Sequence, residues 1–222
     1  MSKRLFVSAI SKFLLGVVLV GLLVFLPGGF DYVQGWIFMA LLFIPMFIAG
    51  IVMMIFSPEL LAKRLSAKEE RGAQQTVVKL SGLMFVLGFV AAGLDHRFGW
   101  FPIPLWVSIA AGAIFLLAYA LYAEVLRENA YLSRTIEVQE NQKVIDTGLY
   151  GIVRHPMYMA TLVLFLSIPI LLGSLISLVF FLMYPAIIIS RLKDEEKFLA
   201  EKLEGYEEYM KKVKYRLIPF VW

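Results

Sequence analysis

The stretch Gly148-Leu149-Tyr150-Gly151-Ile152-Val153-Arg154-His155-Pro156-Met157-Tyr158 leads into an apolar run over about 156–172. A second run over about 174–190 ends in Arg191-Leu192-Lys193-Asp194-Glu195-Glu196. Only Leu172-Gly173-Ser174 separates the two runs. Apolar runs of roughly 17 to 25 residues are what a helix needs to cross the hydrocarbon of a bilayer. The ionisable residues therefore fall at the ends of a membrane hairpin, where charge is costly and is kept mainly for function.

Working back along the chain, further apolar runs lie at about 9–26, 35–56, 77–94 and 102–123. With 60% apolar residues in 222 and a mean hydropathy of +0.80, the chain reads as one integral membrane domain, all-α. The expected architecture is a polytopic bundle of about six transmembrane helices with a cytosolic C-terminal helical cap. Six full crossings are expected, with a re-entrant hairpin over the last two runs as the alternative. The first run follows Lys3, Arg4 and Lys12 like a signal peptide, but Pro27-Gly28-Gly29 comes next. No small-residue cleavage site is present there, so it reads as a retained helix. Pro45, Pro169 and Pro185 lie inside apolar runs and are expected to kink them.

Loop charges test the topology. If both termini share one side, the opposite loops are about 27–34, 95–101 and 173. Of 21 Lys and Arg residues only Arg97 falls there, so 21 − 1 = 20 lie with the termini. The positive-inside rule makes that side cytoplasmic. Segments 57–76, 124–155 and 191–222 then meet in the cytosol.

Composition excludes several chemistries. There is no cysteine, hence no disulfide, thiolate metal site or cysteine nucleophile. His96 and His155 are the only histidines, so a multi-histidine centre is out of reach and no metal is expected. Internal repeats are lacking, which argues against a transporter built of duplicated halves. No nucleic-acid partner is expected. The oligomeric state is left open.

Past Ser190 the sequence turns charged without a helix breaker until Gly205, so the last span is expected to run straight into a helix over about 191–204. Arg191 and Glu195, four apart, share a face of it. On a soluble helix such a pair would be worth under about 1 kcal/mol; at a membrane boundary beside a second charged cluster it is a candidate site. Leu192, Phe198, Leu199 and Leu203 form an apolar stripe. Tyr206–Val213 suits a second short helix, and Lys211, Lys212, Lys214 and Arg216 a basic strip for anionic headgroups. Pro156 favours the first turn of a helix, which places Arg154 and His155 at an N-terminus suited to a polar ligand head. Tyr150 and Tyr158 offer π faces to a cation.

These residues carry a resemblance. The run Gln139-Glu140-Asn141-Gln142-Lys143-Val144-Ile145-Asp146-Thr147-Gly148-Leu149-Tyr150, then Arg154-His155-Pro156-Met157-Tyr158, resembles the isoprenylcysteine carboxyl methyltransferase family of membrane enzymes. Arg191-x-x-x-Glu195-Glu196, Tyr206-x-x-Tyr209 and Arg216-Leu217-Ile218-Pro219 also fit, and looser echoes occur at 57–64 and 94–100. The resemblance is specific over about 129–222. It departs at Gln142, where many members carry Gly-His before the Val-Ile position, and at Leu149, where many carry Pro.

The resemblance implies methyl transfer from S-adenosyl-L-methionine at the membrane face. It divides the chain into four spans over 1–123 and a catalytic part over 124–222. By motif position the cofactor is held by Gln139, extended Gln142-Lys143-Val144-Ile145, Tyr150, Arg154 and His155-Pro156-Met157-Tyr158. Arg191 and Glu195 match the pair used at the substrate. The implied acceptor is the carboxylate of an isoprenylcysteine-like or other lipid-soluble molecule in the company of membrane lipids. A carboxylate with a pKa near about 3.5 is already ionised at neutral pH and needs no general base. Its demands are alignment and loss of water. Arg191 suits the grip of its planar fork.

Three rivals are weighed beside it. Membrane sterol reductases often show Arg-His-Pro-Asn-Tyr with an acid soon after; this chain has Met157 and Ala160-Thr161-Leu162. Phospholipid amine methyltransferases tend to have Asn where His155 stands. A transporter or scaffold would spread polar groups along a path instead of gathering them at one face.

Overall fold

The computed structural model describes residues 3–66, 72–132 and 136–222. They form α1 (Lys3–Gly28), α2 (Val33–Phe56), α3 (Pro58–Ser66), α4 (Gly72–Phe98), α5 (Leu105–Glu128), α6 (Pro156–Leu171), α7 (Leu175–Phe181), α8 (Tyr184–Lys202) and α9 (Tyr206–Lys212). Strands are absent among the described residues; one isolated bridge joins Pro102 to Ser174. The molecule is a polytopic helical bundle. Five helical stretches are long and apolar enough to cross a membrane: α1, α2, α4, α5 and the run Leu175–Lys202. The sixth apolar segment, α6, has 16 residues. Each of the six apolar runs in the sequence is thus helical.

The kink expected at Pro185 is present as a break in the helix just before it. Leu182 and Met183 form a turn, and the helix restarts at Tyr184. Pro185 sits in the first turn of α8, where its missing N–H is harmless. The last span therefore reaches its charged end through a reset helix axis, and α8 then continues unbroken through Arg191 and Glu196 to Lys202. Pro45 and Pro169 do lie inside α2 and α6.

Helix α6 packs on α5, while α4 packs against α1, α7 and α8. Small residues permit the closest approaches. A Cβ at Gly93 of α4 would stand 2.7 Å from the Val24 carbonyl oxygen and 2.9 Å from the Gly28 nitrogen of α1. Polar groups at the hairpin tip are satisfied internally. Buried Asp95 accepts from the Ser174 hydroxyl at 2.5 Å and from the Phe101 N–H at 2.9 Å, and Ser174 caps α7 through the Ser177 N–H at 3.1 Å. Ser108 of α5 donates to the Ile170 carbonyl at 3.0 Å, a second bond to an oxygen that also accepts from the Gly173 N–H. The opposite end of the bundle, where α6 begins and α8 turns charged, carries the site.

The α1–α4 contact sets a measurable limit. Gly93→Ala is expected to destabilise the protein by about 1–3 kcal/mol through overpacking. Gly82→Ala, where nothing lies within 4 Å of an added Cβ, should be neutral or slightly stabilising. Thermal unfolding of the two variants in the same detergent checks the contrast.

Candidate active site

Before α6 the chain lies extended along the C-terminal tail. The Arg154 N–H donates to the Tyr215 carbonyl and the His155 N–H to the Arg216 carbonyl, both at 2.9 Å. The side chains then converge on Glu196. Arg154 Nε donates to Glu196 Oε1 at 2.6 Å, Arg216 Nε donates to Glu196 Oε2 at 2.8 Å, and His155 Nε2 lies 3.3 Å from Oε1. Arg154, His155 and Glu196 are 8%, 6% and 6% exposed. Arg154 Nη1 also donates to the carbonyls of Val213 (2.9 Å) and Lys214 (3.3 Å) in the tail and of Met210 (3.4 Å) in α9. Buried charge survives only when paired and fully hydrogen-bonded. Here it is, and the result is a clamp joining α6, α8 and the tail.

One helical turn away on α8, a second set of groups meets. Tyr158, buried in the first turn of α6, donates to the Glu195 carboxylate and accepts from Arg191 Nε at 3.0 Å. Arg191 and Glu195 are thus linked through a phenol. Arg191 Nη1 also donates to Gln74 Oε1 on α4 at 3.1 Å, and Gln74 Nε2 donates to Asp194 Oδ2 at 2.6 Å. The His155 and Tyr158 rings stack with centroids 5.5 Å apart.

Between these groups and the loop before α6 lies a cavity of about 830 Å³, mouth included. Its wall includes Gln142, Lys143, Val144, Ile145, Tyr150, Arg154, His155, Pro156, Met157, Tyr158, Arg191 and Glu195. Residues 142–146 carry no regular secondary structure, as an extended wall strip would. Gly148, at φ +50, makes the turn into the 3-10 helix Gly148–Gly151 that presents Tyr150. Asn129 donates to the Tyr150 hydroxyl at 3.0 Å, and Tyr209 donates to its carbonyl at 2.8 Å.

Gln139 stands apart from the other predicted residues. It is not on the wall: its N–H donates to Gln142 Oε1 at 2.9 Å and its amide to the Tyr131 carbonyl at 2.7 Å. Asn141 at φ +56 turns the chain between them, so Gln139 fastens the loop that presents Gln142.

Asn129, Tyr131 and Glu137, which the sequence did not single out, line the loop side, and Leu199, Leu203, Tyr206 and Tyr209 of the apolar stripe and the tyrosine motif close the cavity from α8 and α9. Gly205, at φ +82, makes the reversal that brings α9 over the opening. Burial pushes the Tyr150, Tyr206 and Tyr209 phenols above their ordinary range, so they stay neutral walls of the cavity. Arg216, expected on a basic headgroup strip, instead faces inward onto Glu196 and lies over the Trp222 ring at 5.3 Å. Lys212 of that strip donates to Asp146 at 2.6 Å, a bond that holds the Asp146 carboxyl below its usual range.

A helical membrane bundle with a polar cavity at the start of its last hairpin defines the class. The model of the isoprenylcysteine carboxyl methyltransferase (ICMT) family matches residues 107–201. Similar curated proteins include the Delta(14)-sterol reductase TM7SF2 of Mus musculus, 33% identical over 91 residues, which are 40% of this chain and 22% of that protein. The Delta(14)-sterol reductase of Methylotuvimicrobium alcaliphilum is 26% identical over 135 residues, 54% of this chain and 32% of that one. The cobalt-zinc-cadmium resistance protein CzcN of Cupriavidus metallidurans is 32% identical over 82 residues, 35% and 36% of the respective chains. The matches span about a third or less of the reductases and little more of CzcN.

Removing Glu196 would leave two guanidinium groups and an imidazole facing one another in a buried place. Glu196→Ala is expected to cost about 3–5 kcal/mol and to free the tail. Hydrogen exchange should show lost protection over 206–217, with the α1–α2 region unchanged.

Proposed function

We propose that this chain is a membrane methyltransferase that takes its methyl group from S-adenosyl-L-methionine and gives it to a lipid-soluble acceptor. The preferred acceptor is the carboxylate of an isoprenylcysteine-like molecule. The observation that carries the reading is the charge of the cavity wall. Among the described residues, Lys143 and Arg191 face Glu137 and Glu195 there, while Arg154 is turned onto Glu196. That near-neutral wall suits a zwitterionic amino-acid ligand bearing a sulfonium. Carboxylates meet its cationic centres, Lys143 its carboxylate, and Tyr150 a π face. When bound, the cofactor supplies an electrophilic methyl group on sulfur.

The protein's own groups do the rest. Arg191, fixed by Tyr158, holds the acceptor carboxylate in line, and Leu199, Leu203, Tyr206 and Tyr209 keep water away from it. No residue has to remove a proton from a carboxylate. With an amine acceptor, Glu195 is the group placed to take one. The positive-inside count puts this cavity and both termini in the cytosol, so a soluble cofactor enters from there and a tailed acceptor from the bilayer.

A second reading is an NADPH-dependent reductase, favoured by the names of the two sterol reductases. A pyrophosphate and a further phosphate ask for several cations; of the wall's Lys143, Arg154 and Arg191, Arg154 is already bonded to Glu196, and Glu137 and Glu195 offset the other two.

Calorimetry on detergent-purified protein separates the two: S-adenosylhomocysteine is expected to bind and NADPH not to. NADPH binding alone overturns the proposal. A radiolabelled methyl assay then offers a farnesylcysteine analogue and phosphatidylethanolamine. Label only in the phospholipid would move the acceptor to an amine. Arg191→Ala and Glu195→Ala should each lower transfer by about 100-fold or more.

A further inference from the structure

We infer that Gln74 is a positioning residue for Arg191, so that α4, outside the family-matched segment, completes the site. The side chain is 1% exposed in the first turn of α4. A primary amide in that position must find both a donor and an acceptor, because burying either unpaired is expensive. It finds both on α8. Its carbonyl accepts from Arg191 Nη1 at 3.1 Å and its NH₂ donates to Asp194 Oδ2 at 2.6 Å.

The two bonds differ in what they do. The Asp194 bond fixes which way round the amide sits: with the NH₂ on the carboxylate, the oxygen is turned to Arg191. The Arg191 bond then holds one edge of a planar group whose Nε edge is already held at 3.0 Å by Tyr158 of α6. A guanidinium gripped at Nε from α6 and at Nη1 from α4 can neither rotate about its terminal bond nor swing along α8. Its plane is set before any ligand arrives. Arginine recognises a carboxylate through that plane, so Gln74 governs the angle at which an acceptor is presented without touching it. Neither Lys nor Glu would serve at position 74: Lys would oppose Arg191, and Glu would oppose Asp194.

The kinetic half of the test rests on the methyl-transfer reading, and the spectroscopic half does not. Gln74→Met keeps the volume and removes both hydrogen bonds; Gln74→Asn keeps the amide but shortens its reach. Each is prepared as full-length protein with ¹⁵N-arginine in detergent micelles. The Arg191 Nε–H resonance is assigned by its loss in Arg191→Lys. Both variants are expected to shift and broaden that resonance while S-adenosylhomocysteine affinity stays within about threefold. The KM for the acceptor should rise about tenfold or more, with KM for the methyl donor unchanged. An Arg191 resonance identical to wild type in both variants overturns the inference. Should the wild-type protein transfer no methyl group, the proposed function fails and the resonance still decides the role of Gln74.

Discussion

Everything at the functional end of this bundle hangs on one buried carboxylate. Glu196 takes hydrogen bonds from Arg154, which precedes α6, and from Arg216, which belongs to the tail. Charge-assisted bonds of this kind are short and directional, and here they fix three segments far apart in sequence. Arg154 fastens the tail a second time through its carbonyls. The position of α9 over the cavity follows, because α9 is tethered by Gly205 at one end and by this tail at the other. Stabilisation by a buried ion pair is often small in net terms. Its contribution here is to exclude other arrangements of the tail.

Much of the architecture was legible in the sequence because membrane solvation is a local constraint. A run of apolar residues has one low-energy form in lipid, a hydrogen-bonded helix, and all six runs took it. The turns at Gly148, Gly173 and Gly205 were likewise marked by residues that tolerate positive φ. The hairpin's internal break was marked by Pro185, which cannot donate to the Phe181 carbonyl, although Leu182 and Met183 themselves look like span residues.

The site was half legible. Tyr158, Arg191 and Glu195 come together as their spacing and motif positions suggested, while the part that Glu196 plays in the clamp was not marked. Adjacent helical residues point about 100° apart, so one carboxylate meets the cavity and the other the clamp; only the packing of α8 decides which. Gln74 was hidden for a different reason. A polar residue at the start of an apolar run reads as a headgroup contact until α8 is placed beside it. Arg216 was misplaced on the same logic, since its sequence neighbours are exposed lysines and its true partners are Glu196 and the Trp222 ring. The matched segment 107–201 likewise leaves out Gln74, Leu203, Tyr206, Tyr209 and Arg216.

The shortness of α6 has its own consequence. Sixteen residues rise about 24 Å, some Å less than the roughly 30 Å of hydrocarbon in an ordinary bilayer. Lipid around such a helix thins, or the helix end sinks. Where the end sinks, the ring of Tyr158 and the fork of Arg191 lie below the surrounding headgroups. Under the methyl-transfer proposal, a tailed ligand would reach that depth with most of its methylenes still among acyl chains, each one kept there saving about 0.8 kcal/mol. The length of one helix, a count of residues, would then set how deep a ligand must sit.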